Sequence, residues 1–368
     1  MRVQVVDPSA FTPPYDHALC SALARGGADV ELVTSRFAYG ATAAPDGYRL
    51  TERFYRHARG VPGSALRRAT KLAEHVPDML ALRRAARSAD VVHFQWLDVP
   101  WLDGALLPPR PTVLTAHDLL PREPRPGQAA AQRRLLRAVD AVIAHSEYGR
   151  ARLVDGLGID PDKVHVIRHG AFEHLTRLPA PAPLPPELAG AERPVALFFG
   201  LLRPYKGLDT LLRAWRVLDA EAELWVVGRP MMDLAPLRAL ATETVRFVPR
   251  FVADEELPAL FRGADLIVLP YARTERFDMS GVIAAALAFG KPVVVSEIGG
   301  FSELRSTGAV SLVPPGDATA LAVALRELLG DGALRARMSA AATTAAAGPY
   351  SWDRAGADTI ALYRSLLP

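Results

Sequence analysis

The chain has 368 residues, half of them apolar and 23% charged, which supplies material for large buried cores and excludes disorder over most of its length. Forty-three Lys and Arg against 40 Asp and Glu give a formal net charge of only +3, so a strongly basic nucleic-acid-binding protein is excluded and no nucleic-acid partner is expected. A single cysteine, Cys20, rules out a disulfide within the chain and suits a reducing cytoplasm; no stretch is long and apolar enough to span a bilayer.

The first apolar run is Val3–Val6, and Asp7 interrupts it too early for a secretory leader, so none is expected. Further short runs follow at Val30–Val33, Val91–Phe94, Val113–Ala116, Ala141–Ala144 and Val164–Ile167. They are rich in Val and Ile and almost uninterrupted, which predicts strands buried on both faces. Helices are predicted at Ala18–Arg25, Arg133–Val139 and Arg150–Leu157, with Cys20 in the core. Nine Lys and Arg fall between Arg53 and Arg87, against few acids. A solvated helical face explains them; the sharper alternative is contact of residues 53–87 with an anionic membrane surface, at the inner face of the membrane, or with an anionic acceptor.

From Pro179 the chain reads PAPAPLPPELAGAERP. Proline lacks the ladder N–H, so neither helix nor strand runs through it and a linker over 176–194 is expected. The alternation then restarts. Strands are predicted at Val195–Phe199, Glu223–Val227, Val245–Pro249, Leu266–Pro270, Pro292–Ser296 and Ala309–Val313. Helices are predicted at Leu208–Val217, Asp254–Phe261, Val282–Phe289, Ala318–Leu329, Ala340–Ala347 and Trp352–Leu367. Two alternating β/α runs imply an α/β protein of two Rossmann-like domains with parallel sheets, 1–175 and 195–351. The tail, about 352–368, is expected to pack back on the first. Ligands of such sheets bind beyond the carboxyl ends of the strands, in a cleft between the domains.

Several motifs sit at those ends. Gly200-Leu-Leu-Arg203-Pro-Tyr-Lys206-Gly207 follows a strand and opens a helix; Arg203 offers forked donors and Lys206 a mobile charge, both suited to phosphate oxygens. Asp278-Met-Ser280-Gly281-Val282 precedes a helix, with Ser280 a natural cap and Gly281 allowing close approach of a ligand to the backbone. Glu297-Ile-Gly299-Gly300-Phe-Ser-Glu303 makes a tight loop in which Glu303 either favours a helix dipole or accepts from sugar hydroxyls. In the first half, His117 ends a strand, where it is a candidate partner for a sugar hydroxyl or for developing charge. His93 reads as core, whereas His145 and His169 lie at strand ends. Tyr15 and Asp16 follow the first strand, but no Gly-x-Gly-x-x-Gly is present, which argues against a dinucleotide oxidoreductase. No cluster has metal-ligand spacing and no Asp-x-Asp of the kind that holds a divalent ion on a sugar diphosphate is present, so no metal is expected.

In this order the segments ALFFGLLRPYKGLDTLLRAW, VRFVPRFVADEELPALFRGADLIVLP and GVIAAALAFGKPVVVSEIGGFSEL resemble the retaining glycosyltransferases of family 4, over nearly the whole chain and most strongly from Val195 to Glu303. The resemblance implies a GT-B fold and transfer of a sugar from a nucleotide-sugar donor, UDP- or GDP-linked, to a carbohydrate, lipid or natural-product hydroxyl. It implies that Arg203 and Lys206 grip the diphosphate, that the backbone near Arg250, Phe251 and Val252 meets the base, and that Ser280, Gly281 and Val282 meet the distal phosphate. Asp278 and Glu303 are further donor-side candidates, His117 faces the reacting sugar, and Tyr15, Asp16 and His145 stand on the acceptor side. The leaving diphosphate helps to deprotonate the acceptor, so neither a protein base nor a cofactor is required. Two glutamates that many members carry would fall at Phe277 and Ala285, and neither is acidic; Asp278 or Glu275 is the candidate replacement for the first. The competing readings are an epimerase or hydrolase on the same fold and a non-catalytic nucleotide-sugar binder.

Overall fold

A computed structural model of the chain describes residues 1–120, 126–178, 182–218, 221–274 and 278–368. Phe277 and Glu275, and Pro179–Pro181 of the proline-rich segment, lie outside the described residues. The residues group into two compact units: Met1–His169 with Asp278 and Trp352–Pro368, and Gly170–Glu275 with Met279–Ser351.

The first unit is built on a seven-stranded parallel sheet of β1 (Arg2–Asp7), β2 (Asp29–Ser35), β3 (Arg49–Phe54), β4 (Val91–Phe94), β5 (Thr112–Thr115), β6 (Ala141–Ala144) and β7 (Val164–Val166). Its spatial order is β3-β2-β1-β4-β5-β6-β7. The apolar runs are central strands, buried along β4, β5 and β6. The strand β3 is not evident in the sequence: four of the six residues of RLTERF are polar, because it is an edge strand with most of its side chains partly or fully exposed. The basic stretch read as a solvated helical face holds the helix Ala65–Ala85, which contains Pro77 and starts at Ser64, whose hydroxyl accepts from the Arg67 N–H at 3.2 Å. Like β3, the short helix Pro100–Leu106 goes unpredicted. Arg150–Leu157, expected as one helix, is instead an α-turn, Glu147–Ala151, followed by a wider π-turn, Arg152–Gly156.

The tail forms the helix Trp352–Ser365 and belongs to the first unit. Tyr363 is fully buried, and its hydroxyl meets His93 Nδ1 at 2.6 Å, while His93 Nε2 meets Thr115 Oγ1 at 2.7 Å. His93 is thus a core residue with both nitrogens satisfied, its pKa pushed down to about 3 by burial. Cys20 is fully buried.

The second unit carries a six-stranded parallel sheet of β8 (Val195–Phe199), β9 (Glu223–Val227), β10 (Val245–Val248), β11 (Leu266–Leu269), β12 (Val293–Ser296) and β13 (Val310–Val313). The order is β10-β9-β8-β11-β12-β13. Its core joins Phe198, Leu211, Leu224, Val268, Leu325 and neighbours from both the sheet and its helices. The proline-rich segment from Ala182 on packs within this unit: Leu188 is fully buried and the Ala182 N–H donates to Glu255 O at 2.7 Å. In each sheet the chain's first strand stands beside a strand reached only after the winding reverses, β1 beside β4 and β8 beside β11. These are the switch points at whose carboxyl ends open α/β sheets hold ligands.

Candidate functional site

In the second unit the switch point is shaped by glycines. Gly207 has φ 71°, and a Cβ there would overlap the Pro270 carbonyl oxygen; Gly228 has φ 145°, and a Cβ there would overlap the Gly200 carbonyl. With no side chains there, the loops after β8, β9 and β11 close tightly. Lys206 is folded into that space. It is 6% exposed, its Nζ lies 3.5 Å from Phe199 O and 5.3 Å from the centre of the Tyr271 ring. A Cβ on Gly200 would lie 2.6 Å from the ammonium and 3.5 Å from Val282 Cγ2.

Val282 belongs to the first turn of the helix Gly281–Ala288. Ser280 caps that helix, accepting from the Val282 N–H at 3.3 Å while its hydroxyl pairs with Tyr271 OH at 3.2 Å. Lys206, Gly200, Tyr271, Ser280 and Val282 therefore form one group in which an ammonium and a helix N-terminus meet beside a bare backbone. Both are positive, and together they suit an anion.

The other donor-side candidates do not all join it. The Arg250 side chain is spent on Glu256 in a two-pronged pair, 2.6 and 3.0 Å, which holds its guanidinium pKa up. Only the backbone of Arg250–Val252, just beyond β10, remains on offer there, and Val252 is buried. Glu303 is half-buried in the 3₁₀ turn Gly299–Thr307, whose Phe301 packs edge-on to Tyr271 at 5.6 Å. Arg203 is half-buried, just ahead of the 3₁₀ turn Pro204–Lys206. Asp278 is a correction. It is fully buried in the first unit, its carboxylate accepting from the His145 backbone N–H and from the Ser146 hydroxyl, so it fastens the end of β6 and is not placed to meet a donor. Ala285 is buried at 4% exposure, so a glutamate in its place would have to be desolvated.

In the first unit the strand ends converge on Tyr15. Its ring lies 4.6 Å from His117, 5.6 Å from His145, 4.9 Å from His169 and 4.9 Å from Trp352, centre to centre. Trp96 stacks on His117 at 5.1 Å, and His117 Nε2 meets Gln95 Oε1 at 3.1 Å, so Nε2 carries the proton. His145 donates through Nδ1 to Ile167 O at 2.9 Å, and its buried Nε2 has no partner; burial holds its pKa down to about 4. Of these rings only His117 and Trp96 are more than marginally exposed. Asp16 is a second correction. It is 1% exposed and hydrogen-bonded to Asp7, which fixes the loop after β1 by accepting from the N–H groups of Phe11 and Thr12. Burial raises both acids, Asp7 to about 6, so the pair retains a proton and supports the loop from beneath without reaching an acceptor.

A family model described as Glycosyltransferase Family 4 matches residues 15–171, and one described as Glycosyl transferases group 1 matches residues 193–331. A protein named D-inositol 3-phosphate glycosyltransferase from Xylanimonas cellulosilytica is 31% identical over 306 residues, covering 74% of this chain and 71% of the relative. The chain belongs to glycosyltransferase family 4. The same named enzyme from Kineococcus radiotolerans is 29% identical over 397 residues, 94% of this chain and 88% of that one. Among solved structures, Anabaena HepE in complex with UDP and glucose superposes with a TM-score of 0.74 at 20% identity, covering all of both chains. The fold is accordingly of the GT-B class and the activity is glycosyl transfer.

Gln95, Trp96 and Trp352, none of them a candidate from the sequence, support the histidines of this glycosyltransferase. Trp96 had a signal: it lies two residues beyond β4, at the switch point of the first sheet. Trp352 had none, because it reaches Tyr15 and His169 from a distant part of the chain. Among the described residues, no helix is long and apolar enough to cross a membrane, and no group of three or more His, Cys, Asp or Glu is placed to hold a metal.

Proposed function

We propose that the chain transfers a glycosyl residue from a nucleoside-diphosphate sugar to a hydroxyl with retention of anomeric configuration, and that the second unit holds the donor. The observation that carries this reading is the meeting of the Lys206 ammonium with the N-terminus of the helix Gly281–Ala288 beside Gly200. In the proposed complex Lys206 and Arg203 take diphosphate oxygens, and the first amides of the helix, from Gly281 and Val282, take the distal phosphate. Each charge–helix contact of this kind contributes about 0.3–1 kcal/mol, and up to about 2 where partly buried. As the glycosidic C–O bond breaks, charge grows on that phosphate, so the same groups stabilise the transition state more than the ground state. They do so without a metal, which is part of the proposal. The bound UDP of HepE supports a UDP-linked donor, with a GDP-linked donor the alternative. His117, with Nε2 tied to Gln95, is assigned to the reacting sugar. A cytoplasmic setting is part of the same reading, supported by the buried thiol of Cys20.

Contact of residues 53–87 with an anionic membrane is a secondary proposal. Arg53, Arg56, Arg67 and Arg83 already donate to backbone carbonyls, and Lys71 to Ser9, so fewer cations serve a surface than the sequence suggests.

Donor binding and turnover, measured together, test the assignment. Lys206→Ala and Arg203→Ala are expected to weaken nucleotide-sugar binding at least about tenfold, which corresponds to roughly 1.4 kcal/mol. His117→Ala is expected to bind donor normally and to lose transfer by about a hundredfold. Normal transfer in all three variants would remove the assignment, and an inverted product anomer would remove retention.

A further inference from the structure

The segment that follows β3 is tied down residue by residue. Tyr55, a bulky side chain, takes the left-handed backbone with φ 55°. Its N–H donates to Asp78 Oδ2 at 2.8 Å, the His57 N–H to Glu74 Oε2 at 3.0 Å and the Arg59 N–H to Thr70 Oγ1 at 3.0 Å. Thr70, Glu74 and Asp78 are spaced by four on the helix Ala65–Ala85, so they share one face and make a ladder for alternate residues of the segment. The residues between, Arg56 and Ala58, line an open cavity of about 760 Å³ at the carboxyl ends of β2 and β3. A strained backbone persists only where its surroundings enforce it, and here they enforce one wall of a cavity.

Three arginines line that cavity, Arg36, Arg56 and Arg67. Arg36 is exposed and makes no hydrogen bond or ion pair among the described residues. Arg56 spends Nε on Glu52 O at 2.8 Å, and Arg67 spends Nη1 on Ala58 O and Gly60 O at 3.3 and 3.5 Å, so both keep most of their N–H donors. Elsewhere in this unit the arginines Arg2, Arg25 and Arg49 are paired with Asp29 or Asp353. Here the carboxylate in the lining, Glu52, is exposed and pairs with none of the three among the described residues. The cavity thus sets three unpaired guanidinium groups against one carboxylate, and guanidinium donors match phosphate oxygens in geometry. The excess of positive charge suits a phosphate monoester, which carries about −1.5 to −2 at neutral pH. Glu52 repels a second phosphate, which disfavours an extended polyanion or a sheet of anionic headgroups. Tyr55 is the one lining residue shared with the cavity in which His117 stands, so the arginines belong to a different site.

We propose that this cavity is a second ligand site of the first unit, in which Arg36, Arg56 and Arg67 hold a small phosphate monoester. The ligand is bound there without being transformed. The inference does not depend on the donor assignment, which concerns Lys206 and the second unit.

Isothermal titration of the full chain with sn-glycerol 3-phosphate tests this. Saturable binding is expected, with dimethyl phosphate, which carries a single charge, at least about tenfold weaker. Arg36→Ala and Arg56→Ala are each expected to weaken the monoester at least about fivefold. Arg36 holds nothing in the fold, so its removal leaves the urea midpoint unchanged. Glu52→Gln is expected to tighten binding about threefold, a gain that a damaged protein does not give. Lys206→Ala is expected to bind the monoester as the parent chain does. Absence of binding, equal affinity for dimethyl phosphate, or indifference to Arg36→Ala and Glu52→Gln would each overturn the proposal. Recruitment to phosphatidylcholine vesicles containing phosphatidic acid, without binding of the free ester, would overturn it in favour of a lipid surface. Binding lost in Lys206→Ala and kept in Arg36→Ala would also overturn it, and would assign the ester to the proposed diphosphate group instead.

Discussion

The carboxyl pair under the first strand shows how a single residue sets the pH response of a unit. Asp7 and Asp16 are both buried, and burial lifts each above the ordinary carboxylate value of 3.8, Asp7 to about 6. A carboxyl whose folded pKa is raised contributes stability at low pH that is lost as the pH climbs through the folded value. Between about pH 4 and 6 the folded chain therefore holds extra protons at two sites, and stability falls as pH rises. Asp16→Asn keeps a donor for Asp7 and removes one of the two. The expected outcome is a stability-versus-pH slope shallower by about one proton in that window, about 1.4 kcal/mol per pH unit, and greater stability at pH 8. His93 and His145, whose lowered values act in the opposite sense over similar pH, are unchanged between the two proteins and drop out of the comparison. Urea midpoints across the pH series measure it; parallel slopes would show that Asp16 takes up no extra proton on folding in that window.

At the scale of elements, legibility follows burial. Strands β4, β5, β6, β9, β11 and β12 are buried at every position, and their unbroken apolar runs stand out in the sequence. Edge strand β3 is hidden because most of its side chains meet solvent, and polar residues there carry no period that distinguishes the strand from a loop; of the charged helix Ala65–Ala85 only a solvated helical face is legible, without its bounds. The donor-side motifs were readable because glycines and cations cluster within single loops. The Tyr15 ring cluster was not, since its members come from five separate segments joined only by the fold. Asp16 and Asp278 were misread for one reason: a carboxylate at a strand end looks like a ligand group until its burial and partners are seen. The tail helix is the element most exposed to a test. Gly356 abuts Ala22 of the helix Pro13–Arg25 so closely that an added Cβ would stand 2.9 Å from the Ala22 Cβ. Gly356→Leu is expected to cost about 1–3 kcal/mol through overpacking and to release residues 352–368 to limited proteolysis. An unchanged urea midpoint with a protected tail would refute the close contact.

At the scale of the molecule, the two units differ in how the chain composes them. The second is nearly continuous, running from Gly170 to Ser351 apart from the short stretch at Asp278. Its six-stranded sheet, its core and its proposed diphosphate group all come from that run. The first requires two distant pieces, because the helix Trp352–Ser365 supplies Tyr363 to His93 and Trp352 to Tyr15. A fragment 1–169 would leave His93 Nδ1 buried without its partner, at about 1–3 kcal/mol, and would expose the apolar face that the tail covers. A fragment 170–351 loses no strand, and the Asp278 carboxylate is then simply hydrated. The expected outcome is that 170–351 expresses as a cooperatively folding protein, whereas 1–169 aggregates or lacks a cooperative transition until residues 352–368 are joined to it through a flexible linker. The folded fragment 170–351 should also show a UDP-dependent rise in melting temperature that Lys206→Ala removes, since ligand that binds only the native state stabilises it by mass action. Differential scanning calorimetry of the three fragments decides the point. A 1–169 fragment as stable as its tailed version would mean that the tail is an accessory, and a folded 170–351 indifferent to UDP would return the diphosphate assignment to zero.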